Sequence, residues 1–262
     1  MSPISWPGRP YWSLTERFFF RFFFVYFLIY IAPWTWIEYI PYTEGLLNFY
    51  NDIVDRIIEG SNRYLFKTYK VLVHPNGSGD TSYNWTQFWL YLLLGFIAAA
   101  VWSVLDRKRS NYNRIAYWLR IIVRYFIIMN CFGYGIIKMY FLQMIFPNFS
   151  QLATPLGDFL PMRFSWMFMG YSDGYQFFSG MMEVIAGLFL LYRRTATLGA
   201  LMAGGVFLNV FVMNLSYDIP VKIYSFHLFV MCIFLLSFEL GRITQFFIFN
   251  KPAADGNIYS VR

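Results

Sequence analysis

Six stretches of the chain are apolar for close to the length a helix needs to cross a hydrocarbon core, about 20 residues. They run over roughly 18–37, 86–105, 119–146, 176–192, 195–215 and 222–238. The pattern predicts an all-α fold, a polytopic membrane bundle of six transmembrane helices. The third run is long enough to tilt or to project beyond the membrane, and the fourth has no sharp start within 170–176. Met1 to Tyr11 holds three prolines and no small-residue cleavage site, so Phe18 onward reads as a retained membrane helix and not a signal peptide.

Between the first two runs the period changes. Leu46, Leu47, Phe49, Tyr50, Ile53, Val54, Ile57 and Ile58 recur at three- to four-residue spacing among Asn51, Asp52, Asp55, Arg56 and Glu59, which predicts an amphipathic segment over about 44–72. It packs over the ends of the bundle, or serves as a lid or a partner-binding helix. The expected organisation is two N-terminal transmembrane helices with this outer segment (1–118), a four-helix membrane core (119–240) and a cytoplasmic tail (241–262) too short to fold alone. The chain shows no internal repeat and no low-complexity tract.

Composition agrees. Of 262 residues, 58% are apolar and 23% aromatic. Only 13% are charged, about half the share of a soluble domain, and mean hydropathy is +0.44. A soluble sphere of this size cannot hide so much apolar surface, so the bilayer is the expected partner. The net charge of +7 would suggest nucleic acid in a soluble protein, but the placement of the cations excludes that reading. Arg9, Arg17, Arg107, Lys108, Arg109, Arg114, Arg193, Arg194, Arg242, Lys251 and Arg262 fall on one side of the six runs, whereas the two short connections opposite carry only Arg163 and Lys222. The positive-inside rule then puts both termini in the cytoplasm.

Cys131 and Cys232 lie in apolar runs and form no CxxC or disulfide framework. Of the two histidines, His74 sits in a polar stretch, so a bis-histidine haem within the bilayer is not expected. No metal site and no intrinsic cofactor are predicted.

Ionisable residues inside a membrane cost about 2.5–3.5 kcal/mol near a helix centre and therefore mark candidate sites. Arg21 and Arg124 lie near helix ends and can reach the interface by snorkelling. Lys138, Glu183 and His227 fall at similar depth in the outer half of three different helices, with Asn209 there too and Asn214 nearer the surface. Together with Tyr134 they form the candidate polar site. It reads as a fixed Lys138–Glu183 ion pair that sets helix register, as an outward-opening site where Glu183 or His227 exchanges protons with a bound molecule, or as groups that never meet. Glycines beside these residues (Gly133, Gly135, Gly180, Gly187, Gly199, Gly204, Gly205) mark close helix packing. The connection from Phe146 to Gln176, rich in Phe, Trp and Met and punctuated by Pro147, Pro155 and Pro161, is expected to be ordered over the outer end of the bundle. Asp158 and Arg163 are its expected polar anchors, and Asp218 and Lys222 those of the next outer turn.

Tyr134-Gly135-Ile136-Ile137-Lys138, Phe146-Pro147, Pro155-Leu156-Gly157-Asp158, Gly180-Met181-Met182-Glu183, the Arg193-Arg194 pair and Asp218-Ile219-Pro220-Val221-Lys222 together resemble the DoxX-like family of small bacterial membrane proteins, over about 119–240. The resemblance implies a four-helix core in the bacterial inner membrane and a role as subunit or accessory of a sulfur- or quinone-linked oxidoreductase, with a quinone as the external cofactor. It carries over no catalytic residue. A bacterial source would make the glycosylation patterns at Asn76, Asn84 and Asn148 irrelevant. The competing functions are a proton-coupled small-molecule transporter using Lys138 and Glu183, and an assembly protein that docks an extracytoplasmic or membrane partner.

Overall fold

Helix starts are set by side chains that satisfy the orphan N–H groups of a first turn. In the computed structural model, which describes residues 11–76 and 79–252, α1 (Leu14–Ile31) begins at a capping box. The Ser13 hydroxyl accepts from the Glu16 N–H at 3.1 Å and the Glu16 carboxylate accepts from the Ser13 N–H at 2.6 Å. Thr81 and Asn84 do the same for α3 (Ser82–Leu105), and the Ser172 hydroxyl caps α7 (Asp173–Leu191). Each start precedes the edge of its hydropathy run because capped first turns are polar. The other helices are α2 (Glu44–Ser61), α4 (Asn113–Met139), α5 (Phe149–Ala153), α6 (Pro161–Tyr171), α8 (Ala196–Ser216), α9 (Lys222–Ser237) and α10 (Leu240–Phe247). No strand occurs among the described residues. Five helices are long and apolar enough to cross a membrane, namely α1 with its 3-10 extension to Tyr39, α3, α4, α7 and α8. The pair α9 and α10, bent by 81°, makes a sixth if counted as one span.

The third run ends earlier than its hydropathy predicts. Phe141 adopts the left-handed conformation at φ 59°, its N–H donates to Lys138 O at 3.0 Å, and the Leu142 N–H donates to Ile137 O at 2.9 Å. This pair of bonds is a Schellman stop. The helix therefore ends at Met139 and residues 140–146 form a loop, although their side chains are mostly apolar. The expected tail likewise begins with helix α10, while Gly77, Ser78, Arg9 and Arg262 lie outside the described residues.

The chain divides into two units, the first up to Val123 with the residues from Gln245 on, the second Arg124–Thr244. In the first, α1 packs along α3, where Gly95 leaves room for the Phe22 ring; a Cβ there would lie 3.0 Å from it. Arg21 does not snorkel, as its sequence position suggested. It is buried, and its guanidinium donates to the Tyr112 hydroxyl at 2.7 and 3.0 Å, to Ser103 Oγ at 2.7 Å and to the Asp106 carbonyl at 3.0 Å. The Tyr112 hydroxyl in turn donates to the Asp106 carboxylate at 3.0 Å. Burial holds this phenol above its ordinary pKa, and the hydrogen bond from Arg21 pulls it back down. A close network satisfies the cation better than a stretched chain at the interface. Arg124, in the second unit, is buried too.

Helix α2 carries three stripes. Leu47, Tyr50, Val54 and Ile58 are the more covered, Ile58 fully so; Leu46, Phe49, Ile53 and Ile57 form a second apolar row that is exposed; Asn48, Asp52, Arg56 and Glu59 form the polar row. The Tyr83 hydroxyl of α3 donates to Asp55 of α2, and His74 pairs with Glu59 at 3.1 Å.

In the second unit, glycines admit neighbouring side chains and backbone. Gly187 of α7 receives Cys131, Gly204 of α8 receives Cys232, and Gly199 lies against the backbone of Leu190. Both thiols are free and fully buried. Gly133 and Gly205 have nothing within 4 Å of a notional Cβ, so the packing reading fails for those two.

Candidate functional site: the Lys138–Glu183 pair

Lys138 sits in the last turn of α4 and Glu183 in the third turn of α7. Their side chains are 6% and 1% exposed and form an ion pair in which the ammonium donates to Glu183 Oε1. The approach depends on two glycines. A Cβ on Gly135 would lie 2.8 Å from the Gly180 carbonyl oxygen, and one on Gly180 would lie 2.9 Å from both Lys138 Cβ and the Met139 nitrogen. No other residue type fits this crossing without moving a backbone. The pair is not fully satisfied, because Glu183 Oε2 is enclosed and has no hydrogen-bond donor among the described residues. An unmet buried carboxylate oxygen is costly and demands an explanation.

The remaining predicted residues divide between this pair and separate contacts. Tyr134, one turn before Lys138, has its ring 6.3 Å from that of Tyr224, whose hydroxyl donates to Asn130 Oδ1. His227 is buried and bonds through Nδ1 to the Ile223 carbonyl of its own helix at 2.6 Å. Asn214 is buried and donates to Ser225 Oγ at 2.9 Å, joining α8 to α9. Asn209 is exposed. Five residues at 100° each turn it about 140° away from Asn214, so depth agrees while direction does not, and Asn209 falls outside any buried group.

The outer-loop anchors divide similarly. Lys222 pairs with Asp218 at 2.7 Å across the α8–α9 turn. Asp158 and Arg163 are exposed and form no hydrogen bond or ion pair among the described residues. The loop is instead fixed by a buried amide, Gln176, which bonds the Met144 backbone, and by Gly170, where a Cβ would lie 2.7 Å from the Ile145 carbonyl. A lone Gln at the start of an apolar run was the only available signal. Among the described residues, no group of three His, Cys, Asp or Glu could hold a metal.

This architecture is that of a polytopic α-helical membrane protein with an internal ion pair. No family model and no solved structure matches the chain. It is 34% identical over 115 residues to the uncharacterized protein YwoB of Bacillus subtilis (strain 168), a match that covers 43% of this chain and 71% of that protein. The chain belongs to the family of that protein.

Proposed function

We propose that the protein binds a small hydroxyl-bearing molecule, of the quinol or quinone-headgroup class, at Lys138 and Glu183 in the outer half of the bundle. There it serves as a DoxX-like subunit or accessory of a redox system in the bacterial cytoplasmic membrane. The observation that carries this reading is the unsatisfied Oε2 of Glu183 beside a paired ammonium. In the quinol form a ligand hydroxyl would donate to the carboxylate, and in the quinone form Lys138 would donate to a ring carbonyl oxygen. The redox assignment comes from the family resemblance.

A photoactivatable quinone analogue on purified protein tests the reading. Labelling should map to 134–138 and 180–183 and fall at least tenfold in a Lys138→Met, Glu183→Gln double variant that melts like wild type. Labelling spread over all helices and indifferent to that variant would refute it.

A second reading, docking of a protein partner, is favoured by the exposed apolar row of α2. In native membranes, crosslinkers placed at Phe49 and Ile53 should capture one defined protein; capture of lipid alone would remove this reading.

A further inference from the structure

The loop between α4 and α7 lines a half-open cavity of about 500 Å³, within the range of small-molecule sites. Its walls are apolar, built from Met144, Ile145, Phe146, Leu160, Met162 and Met167. Three of these, Ile145, Phe146 and Leu160, are themselves 55–78% exposed and give the cavity an apolar rim.

The polar lining is chemically lopsided. Asn148 Oδ1 and Gln151 Oε1 each already accept the other residue's backbone N–H at 2.9 Å, which takes one lone pair of each oxygen, while both amide NH2 groups remain as donors. Trp166 adds an indole N–H and Arg163 a guanidinium, the only charge among the described residues that line it. Against these donors stands one side-chain acceptor that makes no hydrogen bond among the described residues, Gln143 Oε1. Both Gln143 Oε1 and Trp166 Nε1 are enclosed and have no hydrogen-bond partner among the described residues. A donor-rich site with one cation and no carboxylate selects an oxyanion, and the unpartnered Gln143 Oε1 selects a hydroxyl on the same molecule. The exposed apolar rim favours an occupant with a hydrocarbon tail over a free anion.

We propose that this cavity is a headgroup site for an anionic glycerophospholipid carrying a free hydroxyl. Arg163 and the Trp166 N–H bind the phosphodiester, Gln143 Oε1 accepts from the hydroxyl, and the acyl chain leaves over Ile145, Phe146 and Leu160. The site uses neither Lys138 nor Glu183 and stands independently of the reading above.

Native mass spectrometry of the full-length protein in detergent tests it, with phosphatidylglycerol, phosphatidylcholine of the same acyl chains, and free glycerol 1-phosphate as probes. Phosphatidylglycerol should be retained at least tenfold over phosphatidylcholine. Trp166→Phe and Gln143→Leu should each reduce that retention at least fivefold, and exposed Arg163→Gln supplies the same readout if either fails to fold. Equal retention of the two lipids, or variants that bind like wild type, would overturn the proposal. Glycerol 1-phosphate binding as tightly as the lipid would overturn the lipid assignment.

Discussion

The side-chain amide of Gln176 pairs with both polar groups of the Met144 backbone, donating to its carbonyl at 2.8 Å and accepting from its N–H at 3.2 Å. Gln176 is fully buried and Met144 nearly so. The amide thus stands in for a strand partner that this all-helical unit cannot supply, and it holds the loop after α4 against the start of α7.

Replacing Gln176 with Leu should strand two enclosed backbone groups, a loss of about 2 kcal/mol or more. The expected results are a lower melting temperature in detergent and faster proteolysis within 140–148. Unchanged proteolysis there would mean that the loop is held by other contacts.

Gly180→Ala should be more damaging than its single methyl suggests, because its Cβ would meet backbone of α4 on arrival. Forcing the helices apart costs about 1–3 kcal/mol and loosens the Lys138–Glu183 pair. Gly133→Ala, in open space, should be neutral or gain a few tenths of a kcal/mol from helix propensity. Paired thermal melts give the comparison.

Glu183→Gln should destabilise the protein by leaving Lys138 without its counter-charge, by about 3–5 kcal/mol for a buried pair. Adding Lys138→Met should recover much of that loss. A double-mutant cycle with purely additive effects would show the two groups to be energetically uncoupled.

The order of the apolar helices and five of the six expected spans could be read from hydropathy because lipid-facing segments of sufficient length have few alternatives, whereas the run over 222–238 reaches spanning length only together with the bent α10. The meeting of Lys138 with Glu183 followed from equal depth and opposite charge. Depth alone could not resolve direction, and Asn209 shows the consequence. Nor could hydropathy find the end of α4, since Phe141 to Phe146 is apolar in side chain yet leaves the helix through its backbone. The capping boxes at Ser13/Glu16 and Thr81/Asn84 were present as local patterns that a window of 20 residues averages away. Gln143 and Trp166 carry no sequence signal at all. Their importance comes from enclosure, which only the folded loop creates.

Phe141→Gly should stabilise the protein. A bulky residue at positive φ costs about 1–2 kcal/mol that glycine avoids, and the Phe141 side chain, 40% exposed, has little packing to lose. A raised melting temperature with the 140–148 loop as protease-resistant as before is the expected outcome; a lowered one would show that the ring contributes more than its strain.

Reporter fusions after Arg109 and Arg194 should report the cytoplasm and one near Pro155 the opposite face. A cytoplasmic signal at Pro155 would invert the orientation derived from the cation count.

Helix α9 has only 16 residues before the chain turns by 81° into α10. At 1.5 Å per residue it reaches about 24 Å, some 6 Å less than a typical hydrocarbon core. Were α9 by itself to cross the membrane, thinning of the adjacent bilayer or snorkelling of the side chains that flank it would make up the difference. Such hydrophobic mismatch would concentrate short-chain or disordered lipids there, and bilayer thickness would then influence where the protein accumulates and which membrane neighbours share its thinned annulus.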